Sequence, residues 1–110
     1  MTRPIKLPKS IKVGCYTYVL KEWCSSKTAL SDHGGCDHAN LEIGVDVSRA
    51  PEQTANTLIH EILHAIWHVW GIEKGDSEER IVNKAANGLQ AVLNENGELR
   101  QTLLQTLLKR

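Results

Sequence analysis

The stretch Thr57-Leu58-Ile59-His60-Glu61-Ile62-Leu63-His64-Ala65-Ile66-Trp67-His68-Val69-Trp70-Gly71-Ile72 decides how this chain is read. At about 100° per residue, Ala55, Leu58, Ile59, Ile62, Ala65, Ile66 and Val69 gather on one broad arc. Thr57, His60, Glu61, His64 and His68 gather opposite. The spacing predicts an amphipathic helix from about Glu52 to Trp70. Pro51 suits its first turn, where a missing N–H costs nothing. Gly71 followed by Ile72 predicts a glycine stop closed by a hydrophobic residue.

Working outward, Leu41, Ile43, Val45 and Val47 alternate with Glu42, Gly44, Asp46 and Ser48. That period of two predicts a strand near 41–47 with one buried face, at the edge of a sheet. Earlier still, Ile11-Lys12-Val13 and Tyr16 to Leu20 flank Gly14-Cys15. A two-residue connection that begins with glycine predicts a type II′ hairpin. The intervening Cys24 to Asn40, rich in Ser, Gly, Asp and His, predicts a long loop.

Downstream, a second helix is expected from Asp76 or Ser77 to about Asn94. Its core face would hold Val82, Ala85, Ala86, Leu89, Val92 and Leu93, and Asn94-Glu95-Asn96-Gly97 would end it. Leu99, Leu103, Leu104, Leu107 and Leu108 predict a short third helix. The expected fold is α+β over residues 1–110 as one domain. A small antiparallel sheet, the N-terminal hairpin plus the edge strand, packs on the histidine-bearing helix, a second helix and a short C-terminal one.

Composition narrows the function. Thirteen basic and thirteen acidic residues cancel, which argues against the basic footprint of a nucleic-acid binder. Met1-Thr2-Arg3-Pro4-Ile5-Lys6 leads into no apolar stretch and does not read as a signal peptide. The run Ile62 to Trp70 is interrupted by His64 and His68 and is too short to span a bilayer. Cys15, Cys24 and Cys36 are odd in number and irregular in spacing, which predicts reduced thiols and a cytoplasmic setting.

The chemistry lies in His60-Glu61-Ile62-Leu63-His64. Histidines one helical turn apart project side by side and can clamp one ion. The glutamate next to the first points slightly around the helix, within reach of a metal-bound water. Two histidines plus a carboxylate favour zinc over manganese or iron. A zinc site with an open position needs a third ligand. Tryptophans occupy positions 67 and 70, where a metzincin requires glycine and histidine. Met1 is the only methionine, and no histidine follows His68.

The downstream carboxylates Glu73, Asp76, Glu78, Glu79, Glu95 and Glu98 remain. Glu79 is the best candidate, one turn before Val82 and a further turn before Ala86, with Glu78 near the same face. The competing role for Glu79 is the far end of a capping box begun by Asp76. His33, His38 and Tyr16 are candidate oxyanion donors. Cys24, His33, Cys36 and His38 match no standard zinc-finger spacing. His68, one further turn along the site face, is expected to be exposed or lightly buried rather than a partner to the metal ligands, and Asp37 suits a turn. Trp67 and Trp70 read as packing aromatics, and the leucine-rich tail reads as an intramolecular cap on the core, though it is also where a dimer contact would be sought.

Thr57 to Trp67, with Glu78-Glu79-Arg80-Ile81-Val82 and the upstream Gly35-Cys36-Asp37-His38, resembles the glutamate-type zincins. The compact ImmA/IrrE-type metallopeptidases and small phage and bacterial HExxH proteins are the nearest in look, over roughly residues 35 to 93. In the larger family the ligand glutamate is followed by a small residue at plus three and often by asparagine at plus four. Val82 and Asn83 fit that register for Glu79, whereas Ala85-Ala86 departs from the family's Phe-Ala. The resemblance implies a zincin-like fold with His60, His64 and Glu79 on zinc and Glu61 as general base in peptide hydrolysis. It also implies that an extended peptide or protein substrate pairs with Leu41 to Val47. The alternative is a non-catalytic binding or regulatory module stabilised by zinc.

Overall fold

The computed structural model describes residues 6–23 and 34–108. Four strands, β1 (Ser10–Val13), β2 (Tyr16–Trp23), β3 (Gly34–Asp37) and β4 (Glu42–Asp46), precede three helices, α1 (Pro51–Val69), α2 (Glu78–Glu95) and α3 (Gly97–Leu108). The chain is therefore α+β, as expected. Its sheet is mixed rather than antiparallel, in the order β1-β2-β4-β3.

β1 and β2 form the expected hairpin, closed where Val13 faces Tyr16. Gly14 takes φ +64°, and Cys15 is not among the residues with positive φ, the sign pattern of a type II′ turn. β4 runs parallel to β2 and antiparallel to β3. It is therefore an inner strand, and the edge position belongs to β3, inside the segment expected to be a loop. Being inner, β4 is buried through Ile43, Gly44, Val45 and Asp46 rather than on one face alone. Asp46 ends it by accepting from the Ser48 amide at 2.9 Å and hydroxyl at 2.6 Å.

The helices deliver the other side of the core. Ile11, Val13 and Tyr18 from the hairpin and Ile43 and Val45 from β4 meet Leu58, Ile62, Ala65 and Ile66 of α1, Val92 of α2 and Leu99 of α3 in one cluster. Each such fully buried apolar side chain stabilises the fold by about 1.5–3 kcal/mol. α1 stops as its sequence indicates. Gly71 takes φ +66°, its amide bonds the His68 carbonyl at 3.3 Å, and the Ile72 amide bonds the Trp67 carbonyl at 3.0 Å. This double closure is the Schellman motif.

α2 is turned relative to expectation. Ile81, Ala85, Gly88 and Val92 face inward, while Val82 is 53% exposed and Leu89 and Ala86 are exposed with it. Gly88 is the cause, because a Cβ there would collide with Ile66 and touch the Trp70 ring. The bare backbone is what lets α2 lie against α1, and a glycine scores as a gap in a hydrophobic pattern. At the end of α2, Asn96 closes the structure across 84 residues. Its side-chain Oδ1 accepts from the Lys12 amide and its Nδ2 donates to the Lys12 carbonyl, both at 2.8 Å.

Candidate metal centre

His60 and His64 stand on the exposed side of α1, with Nε2 atoms 3.2 Å apart and ring planes at 73°. Two nitrogens held tetrahedrally at about 2.05 Å from one zinc ion would be about 3.3 Å apart. The imidazole pair therefore fits one small divalent ion on its open side.

Glu61 does not share their exposure. It is 6% exposed, turned under β3. Gly34 makes this possible: a Cβ there would lie 2.7 Å from Thr57 Cγ2, 2.9 Å from the Gly44 carbonyl oxygen and 3.1 Å from Glu61 Oε2. The sheet edge thus descends onto α1 over the carboxylate. Glu61, grouped by helical spacing with the histidines opposite the apolar arc, is buried all the same, because a glycine-built strand covers it. Cys36 lies on the same strand. Burial, reinforced by the charges of Glu61 and Asp37, pushes its thiol up to about 11.

The turn after β3 places His38 over the far end of the site. Asp37 accepts the amides of Ala39 and Asn40 at 3.1 Å each and the Asn40 side chain at 2.9 Å, as its expected turn role requires. These bonds, those to Asn40 foremost, hold its carboxyl below the usual range. The His38 ring stacks on His68 with centroids 4.1 Å apart and planes at 11°. His38 Nδ1 is 3.1 Å from the Tyr18 hydroxyl and 3.6 Å from Cys36 Sγ. Burial, then Cys36 and Tyr16, raise the Tyr18 pKa, so this hydroxyl keeps its proton; the His38 tautomer sets which of the two donates. Burial, then His68 and His64, lower the His38 pKa. A cavity of about 270 Å³ opens beside His64, lined by His38, Trp67, His68, Ile72 and Glu73.

His60, His64 and Glu61 are thus gathered on one turn, with His38 and His68 at its end. His68 is exposed, as expected, but is engaged by His38. The downstream carboxylates are not brought in. Among the described residues no group of three or more His, Cys, Asp or Glu side chains is assembled to hold a metal. Glu78 and Glu79 are both exposed; Glu79 shares the ridge of Val82 and Ala86, and Glu78 lies in register with Ile81 and Ala85. The capping role foreseen for Glu79 is overturned. Ser77 is the N-cap, accepting from the Arg80 amide at 3.3 Å, while Asp76 receives the Glu73 amide and the Arg80 and Lys84 side chains. Of the oxyanion candidates, Tyr16 is out on the hairpin, 47% exposed. His33 and Cys24 lie outside the described residues. Tyr18 was missed; its place in an alternating strand marked it only as core. The strand foreseen to pair with substrate, β4, has both edges occupied by β2 and β3.

No family model matches the chain, and no curated protein or solved structure matches it either. The α+β architecture stands on the structure alone, and the zincin-like part of the expectation gains no support from these comparisons. No helix among the described residues is long and apolar enough to cross a membrane.

Proposed function

We propose that this chain is a zinc-dependent peptidase, with His60 and His64 as ligands and Glu61 as general base. The observation that carries the reading is the convergence of the two imidazole nitrogens at 3.2 Å beside a glutamate on the same turn. Zinc held by His60 and His64 would supply a water of lowered pKa and a Lewis acid for a carbonyl. Glu61, screened from solvent by β3, would act as the general base, accepting a proton from water and giving it to the leaving amine. Its burial keeps the carboxylate oriented toward the sheet edge. The outer edge of β3 is the natural rail for an extended peptide, because β4 is already paired on both sides.

A third ligand, not assembled with the histidines among the described residues, would have to come from the start of α2. The family resemblance supports Glu79, and the inward register supports Glu78. Free thiols at Cys15 and Cys36 agree with a reducing, cytoplasmic setting.

The test begins with metal content per chain by elemental mass spectrometry, on protein purified without chelator or histidine tag. About one zinc per chain is expected, absent in His60→Ala/His64→Ala. Glu61→Gln should keep the metal and lose hydrolysis of a broad peptide library. Equal activity of Glu61→Gln and wild type would overturn the peptidase reading. Zinc with no activity in either, but with partner binding intact, would favour a structural module. No zinc after loading would overturn both.

A further inference from the structure

We propose that the cavity beside His64 is a subsite for a basic side chain, arginine foremost, of a peptide bound at the candidate centre. The substrate role rests on the peptidase reading; the binding chemistry rests on the cavity itself. Its lining combines a carboxylate, an exposed indole and imidazole rings, and includes no lysine or arginine.

Glu73 is held where it is by its backbone. Its amide donates to Asp76 Oδ2 at 2.9 Å, and its carbonyl accepts from the Asp76 amide at 3.0 Å. The preceding Ile72 is tied to Trp67 through the closure of α1. Arg80 and Lys84 do not neutralise it. Arg80 Nε lies 3.2 Å from Asp76 Oδ1 and Lys84 Nζ 3.6 Å from Asp76 Oδ2, and Lys84 also donates to the Gly71 carbonyl at 3.0 Å. Asp76 therefore has both positive partners, and the Glu73 carboxylate has no ion pair among the described residues. Trp67 is 42% exposed, and an indole face attracts a guanidinium or ammonium group. A planar guanidinium can stack on the ring while its N–H groups meet the carboxylate, which an ammonium does less well.

An acidic side chain would face Glu73 and is disfavoured. The cavity borders His64, so a side chain seated in it would belong to a residue next to the bond facing the metal.

The experiment is a titration of the full-length chain at pH 8 with Nα-acetyl-arginine amide, following the Trp67 indole N–H signal by NMR. Nα-acetyl-norleucine amide and Nα-acetyl-glutamate amide are the controls, and zinc content is measured on the same sample. The expected result is a saturable shift with the arginine probe alone. It should weaken about fivefold in Glu73→Gln, the worth of a well-formed exposed ion pair, and be lost in Glu73→Lys. Equal binding of norleucine amide, or no response to arginine amide, overturns the proposal. A sample that takes up no zinc after loading yet still binds the arginine probe would remove the peptidase reading and keep the basic subsite. A zinc-loaded sample indifferent to the probe would do the reverse.

Discussion

Replacing Gly34 by alanine probes the contact on which the burial of Glu61 depends. The new methyl would lie 2.7 Å from Thr57 Cγ2 and 2.9 Å from the Gly44 carbonyl oxygen. The second neighbour is backbone of an inner strand and cannot retreat. The first belongs to a β-branched side chain whose χ1 is stiff in a helix. Overpacking of this kind costs about 1–3 kcal/mol. Loss of glycine freedom in the unfolded chain offsets about 0.4–1 kcal/mol of it. The net destabilisation is about 1–2 kcal/mol, or a melting temperature lower by roughly 5–10 °C for a domain of this size.

The assay is thermal unfolding of wild type, Gly34→Ala, Thr57→Ser and the double variant. Thr57→Ser removes the methyl at 2.7 Å, so the double variant should recover about 0.5–1 kcal/mol relative to additivity. A Gly34→Ala protein that melts with wild type, or a double variant that is strictly additive, would show that β3 does not press on α1. The screened position of Glu61 would fall with it.

Glu78→Ala and Glu79→Ala separate the two candidates for third ligand. The inward register of α2 supports Glu78, whose loss should weaken zinc affinity at least about tenfold, and a competition titration with a chelating dye reads it. Asn96→Ala removes two bonds to Lys12 and one to the Val92 carbonyl. It should cost about 1–3 kcal/mol in urea unfolding and accelerate hydrogen exchange at the Lys12 amide. Because the Cys36 thiol is raised to about 11 in the folded chain, the native state keeps a proton that the unfolded state releases from about pH 8.5 upward. Its stability contribution is complete below that pH and declines as pH rises toward 11. Chemical unfolding across this window should show the decline in wild type and a shallower one in Cys36→Ala.

The helices were legible because their apolar spacing is local. Pro51, Gly71 and the leucines of α3 mark ends and faces that neighbouring residues alone determine. β4 was legible as a strand from its alternation, but its partners were not, because a parallel pairing with β2 leaves no mark on either segment. β3 was hidden for a physical reason. Gly34 and Gly35 have poor strand propensity, and at Gly34 the residue is demanded by the approach to Thr57 and Glu61.

The rotation of α2 has a similar origin. Ile81 and Val82 are adjacent and both apolar, so the pattern could not choose between them, and Gly88 marks the true inner face by having no side chain. The histidine pair and Glu61 follow from helical spacing alone. The surroundings of His38, with Tyr18 and His68, required knowledge of which turn lies over which helix.

The Asn96 clamp bears on how the protein emerges during synthesis. The outer rim of β1 exposes an unpaired amide and carbonyl at Lys12 until a residue 84 positions later reaches it. A nascent chain can complete this hairpin once β2 has emerged, yet that rim stays open to pairing with another chain until α2 and Asn96 have followed. The hairpin thus forms well before the residue that seals it. Any slowing of elongation before residue 96 would lengthen the interval in which the chain is open to mispairing.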